Sequence, residues 1–233
     1  TDMNATRRDE DMDNLHSIYV DQWDWEAIIP DGRRNIEFLK ETVQKIVESI
    51  CATADMLRES YPSLHVPVLE REISFVTAQE LEDLYPNKSP KERENLYVRE
   101  HKTTFLMEIG DTMHSGRRHD GRAPDYDDWH MNGDLLFWNE ILGEAMEVSS
   151  MGIRVDARTM DAQLSKAGCD DRRRFPFHQM VLDGTLPLTI GGGIGQSRLC
   201  MLLLGKAHIG EVQVSVWDDG TRAACEAAGV TLL

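Results

Sequence analysis

Between Ile36 and Leu57 the apolar residues Ile36, Leu39, Val43, Ile46, Val47, Ile50, Ala54 and Leu57 return at helical spacing, with Lys40, Glu41, Lys45 and Glu48 between them. The pattern predicts one long amphipathic helix, whose single apolar stripe has to be buried against something else. Pro30-Asp31-Gly32 is a turn signal ahead of it, and Tyr61-Pro62 closes it, because a proline disfavours helical conformation in its predecessor. Shorter helices are expected at Ala78–Leu84 and Pro90–Glu100.

The remaining apolar segments are short and rich in β-branched and aromatic residues. Ser17–Val20, Ile73–Val76, Thr104–Ile109, Leu135–Trp138, Ala145–Ser149 and Val212–Val216 read as strands. Their uneven spacing disfavours a regular β-α-β alternation and predicts an α+β fold, a mainly antiparallel β-sheet flanked by helices. No internal repeat, low-complexity tract or linker divides residues 1–233, so a single domain is expected.

Composition narrows the function. The 233 residues hold 25 Lys+Arg against 41 Asp+Glu, a net charge of −16, which disfavours bulk binding to nucleic acid. No uninterrupted apolar run is long enough to cross a bilayer. Cys51, Cys169, Cys200 and Cys225 are far apart and form no C-x-x-C pair, as expected of free thiols in a reducing cytoplasm. Thr1-Asp2-Met3-Asn4 carries neither an initiator Met nor a signal or transit pattern, so the start reads as cut rather than targeted.

Several clusters could carry chemistry. Gly191-Gly192-Gly193-Ile194-Gly195-Gln196-Ser197-Arg198 precedes the apolar run Leu199–Leu204, which predicts a glycine-dense turn, then a buried helix with Arg198 in its first turn. It matches neither a Walker P-loop nor a dinucleotide fingerprint; a ligand-approaching turn and a purely structural one both remain open. From His16 to Glu26 apolar and polar residues alternate, so a strand would put Gln22, Asp24 and Glu26 on one face. Such a face suits a small polar ligand with an ammonium group, or simply solvent. Asp134 and Glu147 flank an expected hairpin with Gly143 in its connection, and two carboxylates there suit Mg²⁺ completed by substrate phosphates. Arg154 offers a planar fork for a carboxylate. The polar stretch His114–Asp134 is either a solvated connector or a functional loop, and Arg7-Arg8-Asp9-Glu10-Asp11 alone would be a solvated charge cluster.

Five words in order nevertheless single out one family. They are Arg-Arg-Asp-Glu-Asp at 7–11, Tyr-Val-Asp-Gln-Trp-Asp-Trp-Glu at 19–26, Arg-Ala-Pro-Asp-Tyr-Asp-Asp-Trp at 122–129, Ser-Ser-Met-Gly-Ile-Arg at 149–154 and Thr-Ile-Gly-Gly-Gly-Ile-Gly-Gln-Ser-Arg-Leu at 189–199. With them the chain resembles the aspartate–ammonia ligases, ammonia-using asparagine synthetases whose catalytic domain is similar to that of class II aminoacyl-tRNA synthetases. The resemblance implies an ATP site with Arg7 on the α-phosphate, Glu10 on the adenine side, Arg198 near adenine and the terminal phosphates, and Mg²⁺ on Asp134 and Glu147 with Ser150 beside them. It implies an L-aspartate site of Gln22, Asp24, Arg122, Asp127 and Arg154, with Arg154 clamping the α-carboxylate away from ATP. The implied reaction forms β-aspartyl-AMP and pyrophosphate, after which ammonia displaces AMP. A cytoplasmic homodimer that does not use tRNA is expected.

The resemblance also implies segments that these residues do not contain. The family has a substantial N-terminal part before its counterpart of Arg7, carrying the dimerising motif, an aspartate proposed to take a proton from ammonia and a lysine near the substrate. It also has a longer loop between the counterparts of Trp129 and His130. An aspartyl- or asparaginyl-tRNA synthetase core is the alternative enzyme, though it would need a basic anticodon-binding domain. A synthetase-like regulatory protein without catalysis is the other alternative, disfavoured by the presence of Arg7, Glu10, Glu147 and Arg198 together. No cysteine–histidine glutaminase pattern is present, so free ammonia is the expected nitrogen source.

Overall fold

The computed structural model describes residues 1–9 and 11–233. In chain order the elements are β1 (Asp2–Thr6), β2 (Tyr19–Ile28), α1 (Ile36–Ser60), β3 (Ser74–Thr77), α2 (Ala78–Leu84), α3 (Pro90–His101), β4 (Thr103–Met107), β5 (Asp127–Asn139), β6 (Glu144–Arg154), α4 (Ala157–Lys166), α5 (Pro176–Leu182), β7 (Thr189–Gly195), α6 (Gln196–Leu204) and α7 (Asp219–Ala227). The strands form one sheet in the order β1-β2-β7-β6-β5-β4-β3. All its pairings are antiparallel except β3 with β4. This is the expected α+β architecture.

The two faces of the sheet bury different helices. On β4, Phe105 and Met107 join Leu39, Val43, Val47, Ile50, Cys51 and Ala54 of α1 in the larger apolar cluster, together with Met201 and Leu202 of α6. Leu106, between them, turns to the other face and packs with Leu81 of α2 and Val98 of α3. That alternation follows from the strand's period of two. Each of the fully buried aliphatic side chains of α1 contributes roughly 1.5–3 kcal/mol, so the stripe is what fixes the helix to the sheet. Asn35 caps α1 by accepting from Phe38 N, and the helix ends at Ser60, just before Tyr61-Pro62. Capping boxes start α2 (Thr77 with Glu80) and α3 (Ser89 with Glu92), at the sequence-predicted first residues.

Three expectations need correction. Val212–Val216 is not a strand: Val214 and Val216 are 72% and 65% exposed, and among the described residues the segment pairs with no strand. The glycine-dense stretch is not a turn but the greater part of β7, central in the sheet between β2 and β6. The strand expected at Ser17–Val20 starts at Tyr19 and runs on to Ile28. β5 is continuous across Trp129–His130, with a register shift between Asp127 and Asn132. Among the described residues no helix is long and apolar enough to cross a membrane.

Candidate active site

The open face of β2, β7 and β6 is built by a pairing of polar residues with glycines. Gln22, Asp24 and Glu26 project from one face of β2, and their register partners on β7 are Gly195, Gly193 and Gly191. A Cβ on Gly193 would stand 2.8 Å from Asp24 Oδ1 and 3.0 Å from Gln22 Oε1. Gly191 and Gly193 therefore keep open the space in which Gln22, Asp24 and Glu26 stand. Ser149 Oγ, on β6, donates to Gly193 O at 2.8 Å and ties the floor together.

Above this floor lies a cavity of about 410 Å³. Of the expected site residues, Arg7, Gln22, Asp24, Arg122, Asp127, Glu147, Ser150 and Arg198 line it together. They come from the segment after β1, from β2, the β4–β5 loop, β5, β6 and α6. Glu10 lies outside the described residues.

Arg198 stands in the first turn of α6 and is fixed from three sides. Nη1 donates to the Glu147 carbonyl at 3.1 Å and lies 3.6 Å from its carboxylate, while Nη2 donates to His16 Nε2 at 2.7 Å. The His16 ring is held in turn, its Nδ1 2.8 Å from Asp13 Oδ1. Burial pushes the Asp13 carboxyl up, but the hydrogen bonds from His16 and from the Leu15 amide outweigh it and leave the group below its ordinary range. The start of α6 has no cap from Gly195. Asp21 of β2 serves instead, accepting from Ser197 N at 3.1 Å and from Ser197 Oγ at 2.6 Å. Gln213, in the segment expected to be a strand, donates to Ser197 Oγ at 2.9 Å and accepts from Ser17 Oγ at 2.6 Å.

Asp134 sits beneath the cavity rather than on its wall, buried and paired with Arg122. Burial, and then the neighbouring Glu147 carboxylate, push its carboxyl up to about 7 against the pull of Arg122. Its Oδ1 is buried without a hydrogen-bond partner among the described residues. An orphaned carboxylate oxygen beside a second carboxylate suits a hard, oxygen-seeking cation such as Mg²⁺. No group of three or more carboxylate, His or Cys side chains among the described residues could hold a metal unaided. A metal here would complete its shell with oxygens of water or of its substrate.

Arg154 lines a neighbouring cavity of about 600 Å³, with Glu26 and Tyr126. Its Nε and Nη2 donate to Glu26 Oε2 at 3.0 and 2.9 Å, its Nη1 is paired with Asp127, and the guanidinium lies 4.1 Å from the Tyr126 ring centroid. Tyr126 faces both cavities. His16, Asp13 and the Asp21–Ser197–Gln213 network were not singled out by sequence; apart from the proximity of Asp13 to His16, no local spacing marks them.

The chain as a whole is similar to known proteins. A model of the aspartate-ammonia ligase family matches residues 1–229. Aspartate–ammonia ligase of Clostridium tetani is 56% identical over 233 residues, all of this chain and 68% of that protein. The chain belongs to the aspartate–ammonia ligase family. The ligase of Lactobacillus acidophilus is 58% identical over 234 residues and is covered to 69% of its length. This ligase chain shares its fold with Entamoeba histolytica asparaginyl-tRNA synthetase in complex with asparaginyl-adenylate, at a TM-score of 0.64 and 14% identity, over 89% of this chain and 49% of that one. The Pyrococcus horikoshii asparaginyl-tRNA synthetase gives 0.63 at 15% identity, over 90% and 50%. The chain thus spans about half the length of these synthetases, and the likeness is one of fold. It agrees with the expected synthetase-like core, while the far higher identities lie with the ligases.

Proposed function

We propose that this ligase-family chain joins ammonia to the side-chain carboxylate of L-aspartate at the expense of ATP, through β-aspartyl-AMP. The observation that carries the reading is the single cavity in which Arg7 and Arg198 stand over a floor bearing Gln22 and Asp24. Cationic groups for phosphates and acceptors for an α-ammonium face one space.

In the first step a β-carboxylate oxygen of aspartate attacks the α-phosphorus of ATP and the bond to pyrophosphate breaks. In the second, ammonia attacks the β-carbonyl carbon, the bond to AMP breaks and one ammonia proton is lost. Arg7 steadies the α-phosphate, Arg198 faces adenine and the terminal phosphates, and Glu10 and Ser150 complete the nucleotide side. Fixed cations of this kind stabilise charge that grows at the phosphates without reorganising during the reaction. Gln22 and Asp24 accept from the aspartate ammonium, with Asp127 and Arg122 ordering the polar groups around it. Arg154 takes the α-carboxylate: its Nε/Nη2 edge already holds a carboxylate, that of Glu26, whose side chain is 47% exposed. Mg²⁺, when held by Asp134 and Glu147, would supply neutralisation of phosphate charge. Ammonia is the nitrogen source and tRNA plays no part, in keeping with the net charge of −16.

The test is to incubate the full-length protein with aspartate, ATP, Mg²⁺ and ammonium, without tRNA, and to measure asparagine and AMP in equal amounts. ADP in place of AMP would exclude the adenylate, and a requirement for tRNA would return the chain to the synthetases.

A further inference from the structure

A third cavity, its charged lining mainly cationic, lies where α2, the start of α3 and the loop after β4 meet. Its volume is about 400 Å³, and its walls include Lys88, Arg93, Arg117 and Arg118 against one carboxylate, Glu82. The first cavity has the opposite balance, with Asp21, Asp24, Asp120, Asp127 and Glu147 facing Arg7, Arg122 and Arg198.

Glu82 compensates Arg93 at the base of the cavity but reaches neither Arg117 nor Arg118. Its carboxylate accepts from Ser115 Oγ at 2.7 Å and from Ser115 N at 3.2 Å, and lies 3.4 Å from Nη1 of Arg93, which is buried at the base. Lys88 is paired with Glu92 at 3.0 Å. Arg117 and Arg118 have no carboxylate within ion-pair distance among the described residues. The two arginines are adjacent in sequence and line one cavity. The backbone that carries them, and the Arg118 side chain, are also held in place. Thr112 bridges to Arg118, Met113 N donates to Arg117 O at 2.8 Å, Gly116 N closes the turn onto Met113 O at 2.9 Å, and the Arg118 guanidinium lies 5.1 Å from the centroid of the Trp129 ring.

We infer that this cavity binds a small phosphate-bearing anion, with Arg117 and Arg118 as its ligands and Arg93 at its base. The guanidinium fork matches two phosphate oxygens at once, and the Arg118 fork, already placed against Trp129, loses less entropy on binding. A long polyanion is disfavoured by the field of the whole molecule, whereas a small one needs only the local charge. The site is separate from the nucleotide cavity, although the same loop carries Asp120 and Arg122 into that cavity a few residues later.

The experiment is equilibrium dialysis of the full-length protein against radiolabelled inorganic phosphate at low ionic strength. It compares wild type, Arg117→Gln, the double variant Arg117→Gln/Arg118→Gln, and Arg198→Gln. Arg117 is exposed and unpaired, so the single variant keeps the fold even if loss of the Arg118–Trp129 contact disturbs the double one. The expected result is phosphate binding that survives Arg198→Gln, weakens several-fold in Arg117→Gln and at least tenfold in the double variant, and declines with added salt. Binding that is unchanged in both Arg117 variants, binding abolished by Arg198→Gln alone, or no binding by wild type would each overturn the inference.

Discussion

Arg198 Nη2 donates to His16 Nε2 at 2.7 Å, across 182 residues of chain. For the ring to accept there, its proton must sit on Nδ1, where it is donated to Asp13. His16 is thus a positioning residue for Arg198. A hydrogen bond to a charged group contributes about 1.5–3 kcal/mol, so His16→Ala is expected to lower kcat/KM for ATP by roughly tenfold to a hundredfold. Arg198→Ala should cost more, roughly a hundredfold to a thousandfold, as loss of a group facing developing charge does. Because His16 acts through Arg198, the double variant should be little worse than Arg198→Ala alone. Initial rates of pyrophosphate release measure all three, and fully additive losses would contradict the coupling.

Asp134 gives a pH signature of stability. Its carboxyl is raised to about 7 in the fold and has an ordinary value near 4 in the unfolded chain. Between those values the folded state holds a proton that the unfolded state has released, so stability falls as pH rises from about 4 to about 7 and then levels. Asp134→Asn is expected to remove that slope. Melting temperatures at pH 5 and pH 8 should differ less in the variant than in wild type, and Mg²⁺ at pH 8 should raise Tm of wild type alone. A slope as steep in Asp134→Asn as in wild type would place its origin elsewhere.

The parts of this molecule that were legible in sequence are those whose signals are local. α1 shows its stripe, and α2 and α3 have polar caps immediately before them, Thr77 and Ser89, each answered by a glutamate three residues on. α4 was hidden because its buried face includes Gln163, which accepts from Trp129 N and donates to the Pro124 and Asp127 carbonyls. A polar residue in that position breaks the apolar pattern. Glycine density signals a turn locally, whereas the reason for Gly191 and Gly193 lies across the sheet in Gln22, Asp24 and Glu26, and that for Gly192 in Met151 of β6. Val212–Val216 misled in the opposite direction, with strand-forming residues that have no strand beside them. In the site, the positions of Arg198 and of the Gln22–Asp24 face were legible, but not what holds Arg198. Ser197 and Asp21 lie 176 residues apart, and no spacing rule reaches that far.

Gly193→Ala tests the floor of the cavity. The added methyl would stand 2.8 Å from Asp24 Oδ1 and 3.0 Å from Gln22 Oε1, so those side chains must move. Both contacts are with the ends of side chains that face the cavity, so the fold should tolerate the methyl while the displacement falls on the groups assigned to aspartate. KM for aspartate is expected to rise about tenfold with KM for ATP within twofold of wild type, measured by varying one substrate at saturation of the other. Equal increases in both constants would argue against the division of the cavity.

Ser89→Ala provides a contrast confined to stability. Ser89 Oγ accepts from Glu92 N, and the Glu92 carboxylate accepts in return from Ser89 N at 2.9 Å. Removing such a cap costs about 1 kcal/mol. Urea unfolding should show that loss at unchanged slope while both KM values stay at wild type. An effect on catalysis would show that α3 communicates with the site.

Arg154→Lys separates the clamp from mere charge. A lysine keeps the positive charge but cannot offer two parallel N–H groups to one carboxylate, nor lie as a plane against Tyr126. Charge-assisted bonds to such a fork are worth about 1.5–3 kcal/mol, so KM for aspartate is expected to rise at least tenfold, with little change in KM for ATP. Because Arg154 also pairs with buried Asp127, some stability will be lost, and the kinetics must be read well below the variant's own Tm. Glu26→Gln distinguishes the two contributions. It leaves the guanidinium in place but weakens the resident partner on its Nε/Nη2 edge, so KM for aspartate should not rise. A rise in both variants would mean that Arg154 serves to hold Glu26 rather than the substrate.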